Sequence, residues 1–198
     1  MTSPSDLVAP RGTMAVLMAS VFTVTTGFGV VLPLLPDLIE LRLGAYASVT
    51  QVSRSTGLLT AIYMLSIFMS APLWGRLSDR YSRRTILVVG LTGFGVSMIA
   101  FALIETLPAV YAERFFSGMF AAAVTPVALA ATGDITASDE KRARRLTLVS
   151  LAGVTGLLVG PMLGVLIAQV ATSVVPAGNI TSPLTFPMAT TAIWAFVM

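Results

Sequence analysis

The sequence predicts an all-α integral membrane protein whose helices cross the bilayer. Of its 198 residues, 56% are hydrophobic and only 11% are charged, whereas soluble domains carry about 25% charged residues. The mean hydropathy is +0.89. Several uncharged runs reach the roughly 20 residues that a helix needs to cross the hydrocarbon core. These observations exclude an ordinary soluble domain.

The residue types that are missing restrict the chemistry. The chain has no cysteine and no histidine, which excludes disulfides, thiol catalysis and Cys-ligated metals and removes any imidazole proton relay. Proton chemistry must therefore use carboxylates. We predict no metal, no cofactor and no enzymatic activity. The net charge of +3 comes from clustered basic residues, so it indicates membrane topology and not a nucleic-acid surface.

Three uncharged runs define the first three spans. Residues 1–11 form a short polar N-terminal segment, and residues 12–36 then give 25 consecutive uncharged positions. Residues 55–75 give 21 more, and residues 85–104 give 20. The mixed charges of residues 37–54 do not suit hydrocarbon, so we predict a loop there, with room for a short surface helix.

Three further spans follow in the second half of the chain. The turn at residues 105–108 starts the fourth span, which carries Glu113 and Arg114. The 53 uncharged residues from Leu146 onward must hold two spans, which the turn formers of residues 176–183 separate. Only 15 residues remain for the sixth, so we predict that it is incomplete. Residues 12–198 are thus one transmembrane domain with spans at about 12–36, 55–75, 85–104, 107–130, 146–170 and 184–198.

The distribution of basic residues predicts the orientation. Nine of the twelve Lys and Arg residues lie in the N-terminal segment, in residues 76–84 or in residues 141–145. Cytoplasmic loops are rich in Lys and Arg. We therefore predict a multi-pass protein of the cell membrane (the plasma or inner membrane) with a cytoplasmic N-terminus.

The turn between the second and third spans contains a specific motif. It reads GRLSDRYSRR and contains Gly75, Asp79, Arg80, Arg83 and Arg84. This run resembles the GxxxDRxGRR signature between helices 2 and 3 of the major facilitator superfamily. The family's second glycine is replaced here by Ser82.

Three further stretches are similar to elements of the same superfamily. Residues 114–122, RFFSGMFAA, resemble its RxxqGxgaa element, and residues 27–36 resemble the GxGxxxPxLP stretch of its drug-efflux branches. Those branches often carry an acid three positions earlier, where this chain has Val24. Residues 156–165 resemble the GxxxGPxxGG element of proton-coupled antiporters, with Val165 as the departure. The matching positions of this element are Gly156, Gly160, Pro161 and Gly164.

The resemblance implies a fold and a mechanism. The fold is the N-terminal six-helix bundle of a twelve-helix transporter, whose second half is related to the first by a pseudo-two-fold axis. The 75–84 turn would be a cytoplasmic latch that holds one conformation closed. Asp79 would accept from amides at a helix N-terminus, the arginines would pair with acids of the second half, and Asp134 would join the same charge network. Arg114 would take part in proton coupling, with Glu113 as a titrating neighbour.

The resulting functional hypothesis is proton-coupled efflux of a drug or metabolite by alternating access. Two alternatives stay open: a metabolite facilitator or symporter, and a truncated half-transporter that does not transport. The expected partners are the lipid bilayer, a small-molecule substrate, protons, and a second six-helix half or a second copy of this chain. No nucleic acid is expected. The substrate, the coupling ion and the oligomeric state are not predicted.

Arg114 needs a partner, because a charged side chain in a membrane helix costs roughly 2.5–3.5 kcal/mol on insertion scales. Adjacent helical positions point about 100° apart, so we do not expect Glu113 to be that partner. At the depth of Arg114 the first span offers only hydroxyls, those of Thr23, Thr25 and Thr26. The remaining candidates are a carboxylate of the second half, backbone carbonyls or an anionic substrate group. The side chain could also extend to the nearer membrane surface, about 9 Å away at helical rise.

Two apolar features have both a packing and a functional interpretation. Gly156, Gly160 and Gly164 recur every fourth residue and form a ridge that permits close approach of another helix. Either this ridge seals the seam between two halves and favours antiport, or it only packs helices; Pro161 beside it predicts a kink. Aromatic side chains could line a substrate cavity or simply pack: Phe22, Phe28, Tyr63, Phe68, Phe115, Phe116 and Phe120.

Overall fold

The structure is a computed structural model that describes residues 11–44, 46–136 and 138–174. The predicted sixth span and the N-terminal ten residues lie outside the described part. Among the described residues five segments are long and apolar enough to cross a membrane. The helices are α1 (Arg11–Leu43), α2 (Val49–Arg80), α3 (Arg83–Leu103), α4 (Leu107–Ala121), α5 (Thr125–Asp134) and α6 (Asp139–Val174).

The helices extend beyond the uncharged runs from which the spans were predicted. Helix α1 continues to Leu43, and α2 already begins at Val49, so most of the predicted 37–54 loop is helical. Ser48 caps α2 by accepting from the Gln51 amide, while the Gln51 side chain accepts from the Ser48 amide. A capping box of this kind satisfies two amides at a helix start. The charged residues of this region lie towards the helix ends: Asp37, Glu40 and Arg54 are exposed, and Arg42 Nη2 donates to the Ile104 carbonyl at 2.9 Å.

The fourth span is one apolar segment, Leu107–Asp134, but its helix is interrupted by a short turn. Helix α4 ends at Ala121 and α5 begins at Thr125, with a turn at residues 122–124. Pro126, at the start of α5, has no amide to donate to the carbonyl of Ala122, and its ring crowds that carbonyl. The interruption therefore has a local cause in the sequence.

The first and fourth spans form the centre of the bundle. In α1, over half of the most apolar 18-residue stretch is buried inside the protein. The same holds for the segment formed by α4 and α5. Only 22% of the corresponding windows of α2 and α6 is buried. Helix α6 packs along α1, while α2 and α3 pack on α4. The outer faces of α2 and α6 are thus the largest apolar surfaces left for lipid or another helix bundle.

Side chains of α2 fix its contact with α4 through backbone hydrogen bonds. Trp74 Nε1 donates to the Met119 carbonyl at 2.7 Å, and Ser66 Oγ donates to the Phe115 carbonyl at 2.5 Å. Gly118 lies against the Tyr63 backbone, where a Cβ would approach its carbonyl oxygen to 2.5 Å. The close approach of α2 holds α4 and its charged residues in a defined position.

Candidate functional site: a buried ion pair and a charged helix end

A buried ion pair lies on α4. Arg114 is 1% exposed and Glu113 is 5% exposed. Arg114 Nε donates to Glu113 Oε2 at 2.8 Å, and Arg114 Nη2 donates to Glu113 Oε1 at 3.2 Å. The guanidinium and the carboxylate are therefore joined by two parallel hydrogen bonds, which is the strongest geometry for this pair.

This pairing corrects the prediction that Glu113 would not be the partner of Arg114. The Cα–Cβ bonds of adjacent residues do diverge on a helix, but both side chains are long enough to bend back towards each other. The near-complete burial of Arg114 also excludes extension to the membrane surface. The hydroxyls of Thr23, Thr25 and Thr26 are not its partners: Thr25 donates to the carbonyl of Val21, and the other two hydroxyls are buried without a hydrogen bond.

Two aromatic rings from other helices enclose the guanidinium. Arg114 Cζ lies 4.1 Å from the centroid of Phe101 on α3 and 5.8 Å from that of Tyr63 on α2. Tyr63 in turn stacks on Phe28 of α1, with centroids 4.7 Å apart. Four helices thus contribute to the surroundings of one arginine. We refer to Phe101 and Tyr63 together as the aromatic cradle.

Phe101 was not identified from the sequence, although its burial leaves a pattern there. Gly90, Phe94, Met98 and Phe101 are all buried and follow one another at intervals of four, four and three residues, which is the spacing of one helix face. That pattern indicates which residues of α3 face inward. It does not indicate that one of them faces an arginine on α4.

The pair supplies a carboxylate that can exchange a proton inside the membrane. Glu113 and Arg114 neutralise each other while both are charged, and protonation of Glu113 leaves a net positive charge on α4. Ionisable groups within membrane helices commonly form proton relays or ion pathways. The chemistry available at this place is therefore proton binding and release at a carboxylate oxygen, with an arginine as the counter-ion.

A second group of charges lies at the end of the bundle where α2 ends and α3 begins. Arg83 Nη1 lies 2.9 Å from Asp79 Oδ1, and Arg83 Nε lies 3.1 Å from Asp134 Oδ2 at the end of α5. Arg83 also donates to Ser78 Oγ. The structure thus brings together Asp79, Arg83 and Asp134, so that one arginine ties α2, α3 and α5 to one another.

The other members of the 75–84 motif are arranged differently. Arg80 and Arg84 are exposed and form no ion pair among the residues that the structure describes. A Cβ on Gly75 would meet nothing within 4 Å. The start of α3 is capped by Ser82, whose hydroxyl accepts from the Thr85 amide at 3.1 Å. Among the described residues Asp79 contacts Arg83, and its predicted contact with the amides of a helix N-terminus stays a prediction.

The glycine ridge of α6 packs against α1. A Cβ on Gly160 would approach the Cα of Gly29 and the carbonyl of Thr26, both to 2.7 Å, and one on Gly164 would approach the carbonyl of Val30 to 2.8 Å. A Cβ on Gly156 would also meet α1, at Thr25 and Phe22. Pro161 lies beside Gly29, and α6 continues through it. The ridge is therefore packed against α1 within this bundle, as its packing interpretation predicts.

The aromatic residues proposed for a cavity divide into two groups. Tyr63 is buried, and Phe22, Phe28 and Phe120 are partly buried. The rings of Phe68, Phe115 and Phe116 are exposed, Phe68 to 78%. Phe115 and Phe116 touch edge to face at 6.0 Å. The exposed rings lie on outer surfaces of α2 and α4, which are open to lipid or to another helix bundle.

These features together define a helical membrane protein: membrane-length helices, a basic turn with an aspartate and an arginine, and a buried ion pair. The sequence profile of the Major Facilitator Superfamily matches residues 17–198. The chain belongs to this superfamily, whose members are transporters and not enzymes. It is a multi-pass membrane protein.

Comparison with curated relatives agrees with this assignment. The chain is 30% identical to Multidrug resistance protein 1 of Bacillus subtilis over 80% of its own length. It is 32% identical to the class C tetracycline resistance protein of Escherichia coli over 80% of its length. It is 31% identical to the quinolone resistance protein NorA of Staphylococcus aureus over 79%. The chain spans only 39%, 38% and 38% of these three relatives, respectively.

Proposed function

We propose that these helices form one half of a proton-coupled exporter of small amphipathic molecules. The observation that carries the proposal is the ion pair of Glu113 and Arg114, the buried ionisable pair of the described membrane helices. In an exporter of this kind, a proton entering on one side of the membrane would displace the substrate towards the other. The similarity to multidrug, tetracycline and quinolone resistance proteins supports export as the direction.

The exporter also needs a second six-helix half, in the same polypeptide or in a second copy. The exposed apolar faces of α2 and α6 support this part of the proposal, since two halves that rock about a central site need facing surfaces. We refer to the end of the bundle that carries residues 76–84 and 141–145 as the basic end. We further propose that the N-terminus and this basic end are cytoplasmic, because Lys and Arg concentrate there.

Reconstituted liposomes test the proposal. The complete protein is placed in vesicles that contain a pH-sensitive dye, and tetracycline, a quinolone and ethidium are added in turn, with and without an imposed pH gradient. We expect drug movement against its own gradient when the pH gradient is present, together with proton movement in the opposite direction. Drug movement without proton movement would instead favour a facilitator. Drug and protons moving in the same direction would favour a symporter.

We propose that the charges at the basic end act as a conformational latch. Asp79 and Arg83 lie on opposite sides of the α2–α3 turn and tie it to Asp134 on α5. The exposed arginines next to this network, Arg80 and Arg84, are available to acids of the second half. Such contacts would exist only while this side of the transporter is closed, so they would stabilise that state selectively.

Asp79→Asn should therefore reduce export by roughly tenfold or more, a factor typical of a conformational coupling energy. The variant keeps the size of the side chain but removes one of the two negative charges that hold Arg83, while insertion into the membrane should be unchanged. Export in cells, normalised to the amount of protein in the membrane, measures the effect. Glu140→Gln is the matched control, because Glu140 is an exposed acid at the same end outside the network. Wild-type export by Asp79→Asn would contradict the latch.

A further inference from the structure

The guanidinium of Arg114 has two kinds of partner that respond differently to protons. One is the carboxylate of Glu113, at 2.8 Å, and this partner loses its charge when it binds a proton. The other is the aromatic cradle, with Phe101 at 4.1 Å and Tyr63 at 5.8 Å. The face of an aromatic ring attracts a cation through its quadrupole, which does not depend on pH.

We propose that Phe101 and Tyr63 are positioning residues that hold the Arg114 guanidinium in place while Glu113 binds and releases a proton. The inference rests on the proposed function, since it concerns how the same ion pair carries out proton exchange. The proton adds to a carboxylate oxygen of Glu113, and the ion pair with Arg114 is lost. The arginine stays charged, because its guanidinium does not deprotonate in proteins.

Without the cradle, protonation of Glu113 would leave an unpaired cation inside the bundle. Arg114 is 1% exposed, so water cannot replace the lost carboxylate, and an unpaired buried charge is strongly unfavourable. The rings attract the guanidinium more strongly once the Glu113 carboxylate no longer competes for it, so they stabilise the protonated state more than the ion-paired state. They therefore make proton binding at Glu113 easier than it would be in an aliphatic environment of the same shape.

The neighbouring elements offer no other charge that could replace the rings. On α3 there is no ionisable residue between Arg84 and Glu105, and on α1 there is none between Arg11 and Asp37. Helix α2 contributes only the phenol of Tyr63 at this level, since its charged residues lie near its two ends. The other helices that pack on α4 thus present the two rings to the pair, and α4 itself adds the buried hydroxyl of Ser117 beside Glu113.

Infrared titration of the complete protein tests the cradle directly. The C=O stretch of a protonated carboxyl group is followed against pH, and the band of Glu113 is identified by its loss in Glu113→Gln. Phe101→Leu should move the midpoint of this band to lower pH by roughly one unit, the size expected for a desolvated cation–π contact. Tyr63→Leu should give a smaller shift in the same direction, because its ring is farther away.

Three controls separate the ring's charge distribution from its shape. Phe94→Leu alters a phenylalanine of α3 that is also 1% exposed but packs on Gly27. The midpoint of the Glu113 band in this variant should therefore equal that of the wild type. Phe101→Trp keeps a ring and should shift the midpoint little. Trifluorophenylalanine at position 101 keeps the size but weakens the negative ring face, and it tests the proposal even if Phe101→Leu does not fold.

The outcomes of this titration are independent of the export assay. A midpoint that moves to lower pH with fluorination supports the cradle. A larger shift of the midpoint for Phe101→Leu than for Tyr63→Leu also supports it. An unchanged midpoint with trifluorophenylalanine, or equal shifts for Phe101→Leu and Phe94→Leu, would overturn it. Absence of drug-driven proton movement in the wild-type vesicles would overturn the proposed function instead, without altering the titration.

Discussion

Arg114→Leu is expected to abolish drug export and to lower the amount of folded protein. The variant leaves the Glu113 carboxylate 5% exposed and without its two hydrogen bonds. Removing one member of a buried pair typically costs about 3–5 kcal/mol, because the other charge stays behind uncompensated. Thermal unfolding of the detergent-extracted complete protein and export in cells measure the two effects.

The double variant Glu113→Leu/Arg114→Leu separates structure from function. Replacing both charges by apolar groups removes the unpaired charge, and such replacements are often neutral or stabilising. We expect the double variant to recover the thermal stability that Arg114→Leu loses, but not proton-coupled export. Recovery of both properties would show that the pair is only structural. Recovery of neither would show that the pair is not the source of the instability.

Gly160→Val is expected to have the second largest effect, as a loss of bundle stability. A single Cβ at Gly160 would approach the Cα of Gly29 and the carbonyl of Thr26 to 2.7 Å. Both obstacles are backbone atoms, so α1 and α6 must separate along their shared surface. Overpacking of a tight contact typically costs about 1–3 kcal/mol and occasionally more, and we expect the upper end here. Thermal unfolding of the purified complete protein provides the measurement.

Gly57→Ala is the matched control for this prediction. Gly57 also lies inside a long helix, but a Cβ there would meet nothing within 4 Å. Alanine is the better helix former by about 1 kcal/mol, so this variant should be as stable as the wild type or more stable. Equal unfolding temperatures for Gly160→Val and Gly57→Ala would mean that α1 and α6 are not held together at the ridge.

The membrane helices were predictable from the sequence, while their ends were not. Uncharged runs identify the hydrocarbon-spanning core of each helix, because charge is what the bilayer excludes. They do not mark where the helical backbone stops, and α1 continues to Leu43 beyond two acids and an arginine. The break after Ala121 was signalled by Pro126, but proline in other helices of this chain, such as Pro72, causes no break.

The partners of the functional residues were the part that the sequence did not predict. Helical geometry gives the direction of each Cβ and predicted that Glu113 and Arg114 point apart, whereas side-chain length decides whether they meet. The four-residue spacing of Gly156, Gly160 and Gly164 identifies a packing face but not the helix that fills it. Contacts such as that of Arg114 with Phe101 join positions from different helices, and one sequence carries no record of them.

Proton release on drug binding tests whether Glu113 exchanges the proton that is coupled to export. The drug identified in the export assay is added to the weakly buffered, detergent-extracted complete protein, and the change in pH is recorded for the wild type and for Glu113→Gln. At a pH below the midpoint of the Glu113 carboxyl band, we expect the wild type to release about one proton per bound drug molecule and Glu113→Gln to bind the drug without releasing a proton. Equal proton release by the two proteins would contradict the assignment of proton exchange to Glu113.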